Sequence, residues 1–179
     1  MKKNFDKCLE MLLGHEGGFT DDQDDRGNSM GDGHGNRGST MYGVTSYNYA
    51  RYTDKPAPVE VMLLLEHEDV APIYKEKYWD RARCSDLDSG LDWSVFDFYV
   101  NAGGNAAKQL QKIVGATRDG AIGPKTLQVV AEHDTKELIE KMHDARQSYY
   151  QSLGQEKYLR GWTNRNKETL KQAMEMYHG

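Results

Sequence analysis

Apolar residues Phe5, Cys8, Leu9 and Leu12 recur at the i, i+3, i+4, i+7 spacing of a single helical face. The helix they predict stops in the stretch Gly14-His15-Glu16-Gly17-Gly18, where glycines disfavour continuation. From Thr20 to Thr40 the pattern lapses into Asp, Asn, Gly and Ser, which predicts a long loop or a short, irregular hairpin region. Met41-Tyr42-Gly43-Val44-Thr45 then has β character. Helical spacing dominates the remainder. Pro58 or its neighbour starts a helix with Val61, Met62, Leu64 and Leu65 toward the core, and Pro72 begins or kinks the next, carrying Ile73, Tyr74, Tyr78 and Trp79. Trp93, Phe96 and Val100 define a further apolar face closed by Gly103-Gly104, and Ala107, Leu110, Ile113 and Val114 another that ends at Gly115. The pairs Asp119-Gly120 and Gly123-Pro124 predict a turn, with Pro124 at the first position of the following helix. Asp134-x-x-Glu137 starts a helix with Leu138, Ile139, Met142 and Ala145 inward, and a last helix begins near Trp162 with Leu170, Ala173 and Met174. The pattern sums to a mainly α chain of about seven helices with a small β element near residues 19–45. No internal repeat or low-complexity linker divides it.

Composition narrows the class. The chain has 179 residues, 37% hydrophobic and 28% charged, enough to bury a core without staples and incompatible with a collagen, a coiled coil or a disordered tail. Its longest aliphatic run, Val61-Met62-Leu63-Leu64-Leu65, is far short of the ~20 residues a membrane span needs, so no membrane insertion is expected. Lys2 and Lys3 are followed by Asp6, Lys7 and Glu10, which interrupt any secretion-type apolar segment, and the chain is expected to fold where it is made. Cys8 and Cys84 are too few for a scaffold and read as small buried hydrophobes, with a disulfide between them the lesser reading. Charge is unevenly spread: residues 1–90 hold 11 basic against 17 acidic side chains, and residues 91–179 hold 12 against 11. An acidic first half lacks the clustered Lys and Arg that phosphate neutralisation requires, so no nucleic-acid partner is expected.

Glu16 closes an apolar helix and opens a polar, glycine-lined loop. A carboxylic acid resting against apolar walls is kept protonated, while a carboxylate in a wetter setting stays ionised. Glycoside hydrolysis asks for that asymmetry, with one group protonating the leaving oxygen and the other acting across the sugar ring. Asp21, Asp22, Asp24 and Asp25 are the candidates for the second role. A metal reading is weaker. Asp22-x-Asp24-x-Arg26-Gly27 begins like a calcium loop, but Arg26 stands at its fifth position and Gly33 where the closing Glu belongs. His15, His34 and His67 form no i, i+4 zinc pair, no Gly-x-Ser-x-Gly elbow is present, and no metal or cofactor is expected.

Three ordered motif groups sharpen the reading. The first runs His15-Glu16-Gly17-Gly18-Phe19, then Asp25-Arg26-Gly27, then Gly38-Ser39-Thr40-Met41-Tyr42-Gly43-Val44-Thr45. It resembles the N-terminal signature of the glycoside hydrolase family 108 muramidases, mostly phage endolysins and related bacterial proteins. Phe96-Asp97-Phe98-Tyr99-Val100-Asn101-Ala102-Gly103, with Ala107, Leu110-Gln111 and Asp119 to Leu127, looks like the predicted peptidoglycan-binding region that accompanies this family. Arg146 to Tyr150 and Gly161 to Arg165 are similar to its closing motifs. The resemblance implies a single lysozyme-like domain over 1–179, with a catalytic lobe over 1–90 and a helical lobe over 91–179. It implies Glu16 as catalytic acid, with Asp25 and Thr40 at the positions matching the family's Asp and Thr. Asp21, Asp22 and Asp24 are close enough in sequence to replace Asp25. One departure stands out: Asn28 to Arg37 read as about ten extra residues, either a mobile lip over a glycan cleft or a tolerated surface insertion. Tyr42, Tyr99 and Asn101 are the expected sugar contacts, with a C-terminal helix cap as the alternative for Asn101.

These readings predict a monomeric endolysin that binds peptidoglycan glycan strands and cleaves the β-1,4 bond between N-acetylmuramic acid and N-acetylglucosamine. It would accumulate in the cytoplasm and need a holin-like membrane lesion to reach the wall. Two rivals fit the same residues: a lytic transglycosylase using the same Glu, and a non-catalytic wall-binding or virion module. Whether a hydrolase inverts or retains depends on the separation of its two carboxyls.

Overall fold

The computed structural model describes residues 4–179. These residues form ten α-helices, one π-helical turn, one 3-10 turn and a two-stranded antiparallel sheet, the mainly α architecture with a small β element that the apolar pattern predicts. The count exceeds the expected seven partly because α2 (Arg26–Ser29) holds no apolar residue and α3 (Ser46–Thr53) is only eight residues long, so neither shows a readable period. The chain divides into two compact units, Leu9–Tyr74 and the residues up to Cys8 together with Lys75–Gly179. The division falls within α1 (Asn4–His15).

In the 9–74 unit, α1 buries Leu9, Leu12 and Leu13 and ends at His15, in the glycine-bounded stretch where it is expected to stop. Strands β1 (Thr40–Met41) and β2 (Val44–Thr45) pair Thr40 with Thr45 and Met41 with Val44, and Thr20 adds an isolated bridge to Thr40. Both residues of the connecting turn lie in the left-handed region, Tyr42 at φ 49° and Gly43 at φ 77°, as a two-residue hairpin turn that follows the strand twist requires. Thr45 then caps α3 by accepting from the Asn48 N–H at 3.2 Å. Helix α4 (Val59–Leu63) corrects the expected core face. Met62 and Leu65 are buried, but Val61 and Leu64 are 37% and 80% exposed, because the helix ends before its apolar side can repeat. Helix α5 (His67–Tyr74) carries Pro72 internally and buries Val70, Ile73 and Tyr74.

The Asn28 to Arg37 stretch is organised around one buried carboxylate. Asp32, 1% exposed, accepts from the His34 N–H at 2.8 Å, the Asn36 N–H at 3.1 Å, the Asn36 side-chain amide at 2.8 Å and the Ala57 N–H at 2.9 Å. Burial alone would raise its pKa, but these donors outweigh it and hold the carboxyl well below the usual carboxylate range.

The other unit is built on α6 (Leu91–Ala102), whose residues 91–98 are all buried. Around it stand α7 (Gly104–Val114), α9 (Thr135–Ser152) and α10 (Glu156–His178), with α8 (Pro124–Val130) against α7. Pro124 sits in the first turn of α8, and Asp134 caps α9 by accepting from the Glu137 N–H at 2.9 Å, both as the sequence predicts. α10 begins six residues before the expected Trp162, running through Gly161 without a break. Phe5 and Phe96 stand edge-on to Trp79 at 5.4 and 5.2 Å between ring centroids. Cys8 and Cys84 are free and fully buried, and burial pushes both thiols up.

The second group of sequence motifs resolves into structural clasps. Asp97, with no exposure, accepts from Arg146 Nη1 at 2.7 Å, Arg165 Nη2 at 2.7 Å and the Thr169 hydroxyl at 2.9 Å. Burial works to raise its pKa, but the two guanidinium groups prevail and hold the carboxyl far below its ordinary range. Gln111 fastens the glycine-rich turn that precedes α8. Its amide nitrogen donates to Asp119 Oδ1 at 2.8 Å and to the Ala121 carbonyl at 3.1 Å, and its oxygen accepts from the Gly120 N–H at 3.0 Å.

Candidate active site

Glu16 is the first residue beyond α1, and its N–H still donates to the Leu12 carbonyl at 3.1 Å, so its backbone continues the line of the helix. The side chain is half-buried and lies against the β1–β2 turn. A Cβ placed on Gly43 would stand 2.8 Å from Glu16 Oε2 and 3.1 Å from its Cδ. Glycine is therefore required there twice over, by the positive φ and by the approach of the carboxyl. The same Cβ would stand 2.6 Å from the Tyr74 hydroxyl, so two side-chain oxygens converge on the space that glycine leaves open. Tyr74, buried on α5, donates that hydroxyl to the Tyr42 carbonyl at 2.7 Å. The Tyr42 ring meets His67 edge-on, 4.7 Å between centroids and 82° between planes.

Asp25 is the N-cap of α2. Its Oδ1 accepts from the Gly27 N–H at 2.8 Å, which fixes the side chain while leaving it exposed. The neighbouring acids are used differently. Asp22 Oδ1 accepts from the Asp24 N–H at 3.0 Å, and Asp21 lies 3.5 Å from the Arg37 guanidinium.

Thr40 begins β1. Its backbone exchanges hydrogen bonds with Thr20 at 2.8 and 3.0 Å, and its hydroxyl donates to Asn28 Oδ1 at 2.6 Å. Asn28 is fully buried in α2 and donates its own amide to the Asp22 carbonyl at 2.9 Å. One side chain thus links the strand bearing Thr40 to the acidic run and to the helix that Asp25 caps. Asn28 belongs to the stretch expected to be an insertion, where nothing in residue order alone marks it as a clasp. For Gly43 a signal is present: a Tyr-Gly pair between two short β-like segments is a two-residue hairpin turn. Tyr74, by contrast, is indistinguishable in sequence from any core tyrosine of a helix.

Glu16, Asp25, Thr40 and Tyr42 all belong to the 9–74 unit, whereas Tyr99 and Asn101 belong to the other, on α6. Asn101 lies in the last turn of that helix, where its amide donates back to the Asp97 carbonyl at 3.0 Å. Tyr99 is partly exposed on the same helix. Among the described residues, no group of three or more His, Cys, Asp or Glu side chains is placed to hold a metal ion.

Comparison with known proteins covers the chain almost end to end. The glycosyl hydrolase 108 family model matches residues 9–103, just over half of the chain, and a model described as a predicted peptidoglycan domain matches residues 105–167. None of the curated proteins matches. Among solved structures, that of Brucella abortus SagA is similar at 29% identity and a TM-score of 0.83, over 100% of this chain and 98% of the other. The chain therefore belongs to the glycosyl hydrolase 108 family and, with its predicted peptidoglycan domain, is a glycoside hydrolase that acts on peptidoglycan.

Proposed function

We propose that the protein is an N-acetylmuramidase that hydrolyses the β-1,4 bond between N-acetylmuramic acid and N-acetylglucosamine, with Glu16 as general acid. The observation that carries this reading is the seating of the Glu16 carboxyl against the Tyr42–Gly43 turn, in the unit that also fixes Asp25 and Thr40. A carboxyl held by backbone on one side and half-shielded from water can keep one orientation while it protonates the glycosidic oxygen. As the bond breaks, positive charge grows on the sugar ring, and Asp25 supplies the counter-charge or takes a proton from water. Thr40 has committed its own proton to Asn28, so it offers a lone pair to that water's second hydrogen.

Asp25 is preferred over its acidic neighbours because it alone caps α2, the helix from which Asn28 reaches Thr40. We further propose an endolysin role, with the enzyme held in the cytoplasm until the membrane is breached. Intracellular expression should then give little lysis until a permeabilising agent is added.

The test is a purified Glu16→Gln variant with a wild-type thermal midpoint. It should release no muropeptides from peptidoglycan, and wild-type clearing would refute the assignment. Mass spectrometry of the wild-type products should find reducing muramic ends. Anhydro ends would mean transglycosylation instead, and wall binding without any released fragments would mean a non-catalytic module.

A further inference from the structure

We propose that Tyr74 is a positioning residue for the Glu16 acid and that Gly43 is the opening through which it acts. The inference rests on the reading of Glu16 as general acid and adds a partner for its proton. The hydroxyl oxygen of Tyr74 and Oε2 of Glu16 both come within 3 Å of the single point where a Cβ on Gly43 would lie, at 2.6 and 2.8 Å. Tyr74 has one hydroxyl proton, and it is donated to the Tyr42 carbonyl at 2.7 Å. What the hydroxyl presents on its other side is a lone pair. A lone pair can accept a hydrogen bond from a carboxylic O–H, so this arrangement fixes the rotamer of the carboxyl that carries the proton.

The same hydrogen bond has a second effect. Tyr42 is a non-glycine residue at φ 49°, a strained conformation that persists only where the surroundings hold it. The Tyr74 hydroxyl is one of the groups that hold it. Helix α5, the hairpin turn and the end of α1 are thereby tied at one point, and a side chain at position 43 would separate them. Tyr74 touches no substrate in this scheme. It acts through Glu16.

The experiment compares Tyr74→Phe, Gly43→Ala and Glu16→Gln in the full chain on two substrates. One is a soluble N-acetylmuramyl–N-acetylglucosamine oligosaccharide, whose leaving alcohol needs a proton. The other is a nitrophenyl glycoside of the same sugars, whose phenolate leaves without one. Tyr74→Phe should keep its fold by circular dichroism and lose about 10- to 100-fold in kcat on the oligosaccharide with KM nearly unchanged. On the nitrophenyl glycoside it should lose less than about three-fold, and Gly43→Ala should show the same selectivity. Equal losses on both substrates, a loss confined to KM, or wild-type kcat on the oligosaccharide would each overturn the positioning role. Glu16→Gln separates the two levels. If it is inactive on the oligosaccharide while Tyr74→Phe is unimpaired, only the positioning role fails; if it is fully active, both readings fail.

Discussion

Thr40 donates its hydroxyl proton to the side-chain oxygen of Asn28 across 2.6 Å, and Asn28 passes the connection on to the Asp22 carbonyl at 2.9 Å. This buried amide orients Thr40 and pins the acidic loop at once. Asn28→Leu should therefore leave the Thr40 hydroxyl and the Asp22 carbonyl without their partner, at a cost of about 1–3 kcal/mol in urea unfolding. Turnover should fall by more than ten-fold, on the order of a lost catalytic hydrogen bond. Assays at low temperature, where the variant stays folded, decide the point: full recovery of turnover there would reduce Asn28 to a stabilising residue.

The identity of the second carboxylate can be settled by four parallel substitutions. Asn is nearly as good an N-cap as Asp, so Asp25→Asn keeps α2 while removing the charge. Its kcat on peptidoglycan fragments should drop by about 100-fold or more at an unchanged thermal midpoint. Asp21→Asn, Asp22→Asn and Asp24→Asn should each stay within about three-fold of wild type, in line with their local or exposed roles. A larger loss in any of the three than in Asp25→Asn would transfer the role to that residue.

Asp97 is the electrostatic anchor of the 75–179 unit. Asp97→Asn removes the carboxylate that the buried Arg146 guanidinium and Arg165 both engage, and breaking a buried pair from one side costs about 3–5 kcal/mol. The pH dependence has a definite sign. The carboxyl is held below its unfolded value, so its contribution is complete above about pH 4 and is lost as pH falls through the native value. The stability gap between wild type and variant should accordingly be constant near neutrality and narrow in acid. Equilibrium denaturation across that range measures it, and a gap that widens in acid would contradict the ion-pair account.

How much of this was legible beforehand follows the range of the interactions. The α1 stripe, the Asp134 cap and the Pro124 start rest on neighbours within a few residues, and each stands where local pattern places it. Motif order marked Glu16 and Thr40 as candidates. The partners of these residues were not so marked: Asn28 lies 12 residues from Thr40, Tyr74 lies 32 from Tyr42, and Arg146 lies 49 from Asp97. Hydrogen bonds over such separations leave no periodicity. The misread face of α4 has a related cause, since Leu64 follows a five-residue helix whose end only packing determines.

Asp32 shows how the apparent insertion earns its order. Two donors address its Oδ1, the His34 and Asn36 N–H groups, and two address its Oδ2, the Asn36 amide and the Ala57 N–H. An asparagine can accept with one oxygen only, so Asp32→Asn sets an NH2 group against two of these donors. The cost should be about 1–3 kcal/mol and local, opening the 28–37 loop without unfolding the chain. Trypsin should then cut at Arg37 faster than in wild type, while the thermal midpoint moves by only a few degrees. The carboxyl is held below its ordinary range, so the wild-type loop should also lose stability as pH falls below about 4, read by amide hydrogen exchange, and the variant should change less over the same interval. Unchanged cleavage at Arg37 in Asp32→Asn would show that the loop's order comes from elsewhere.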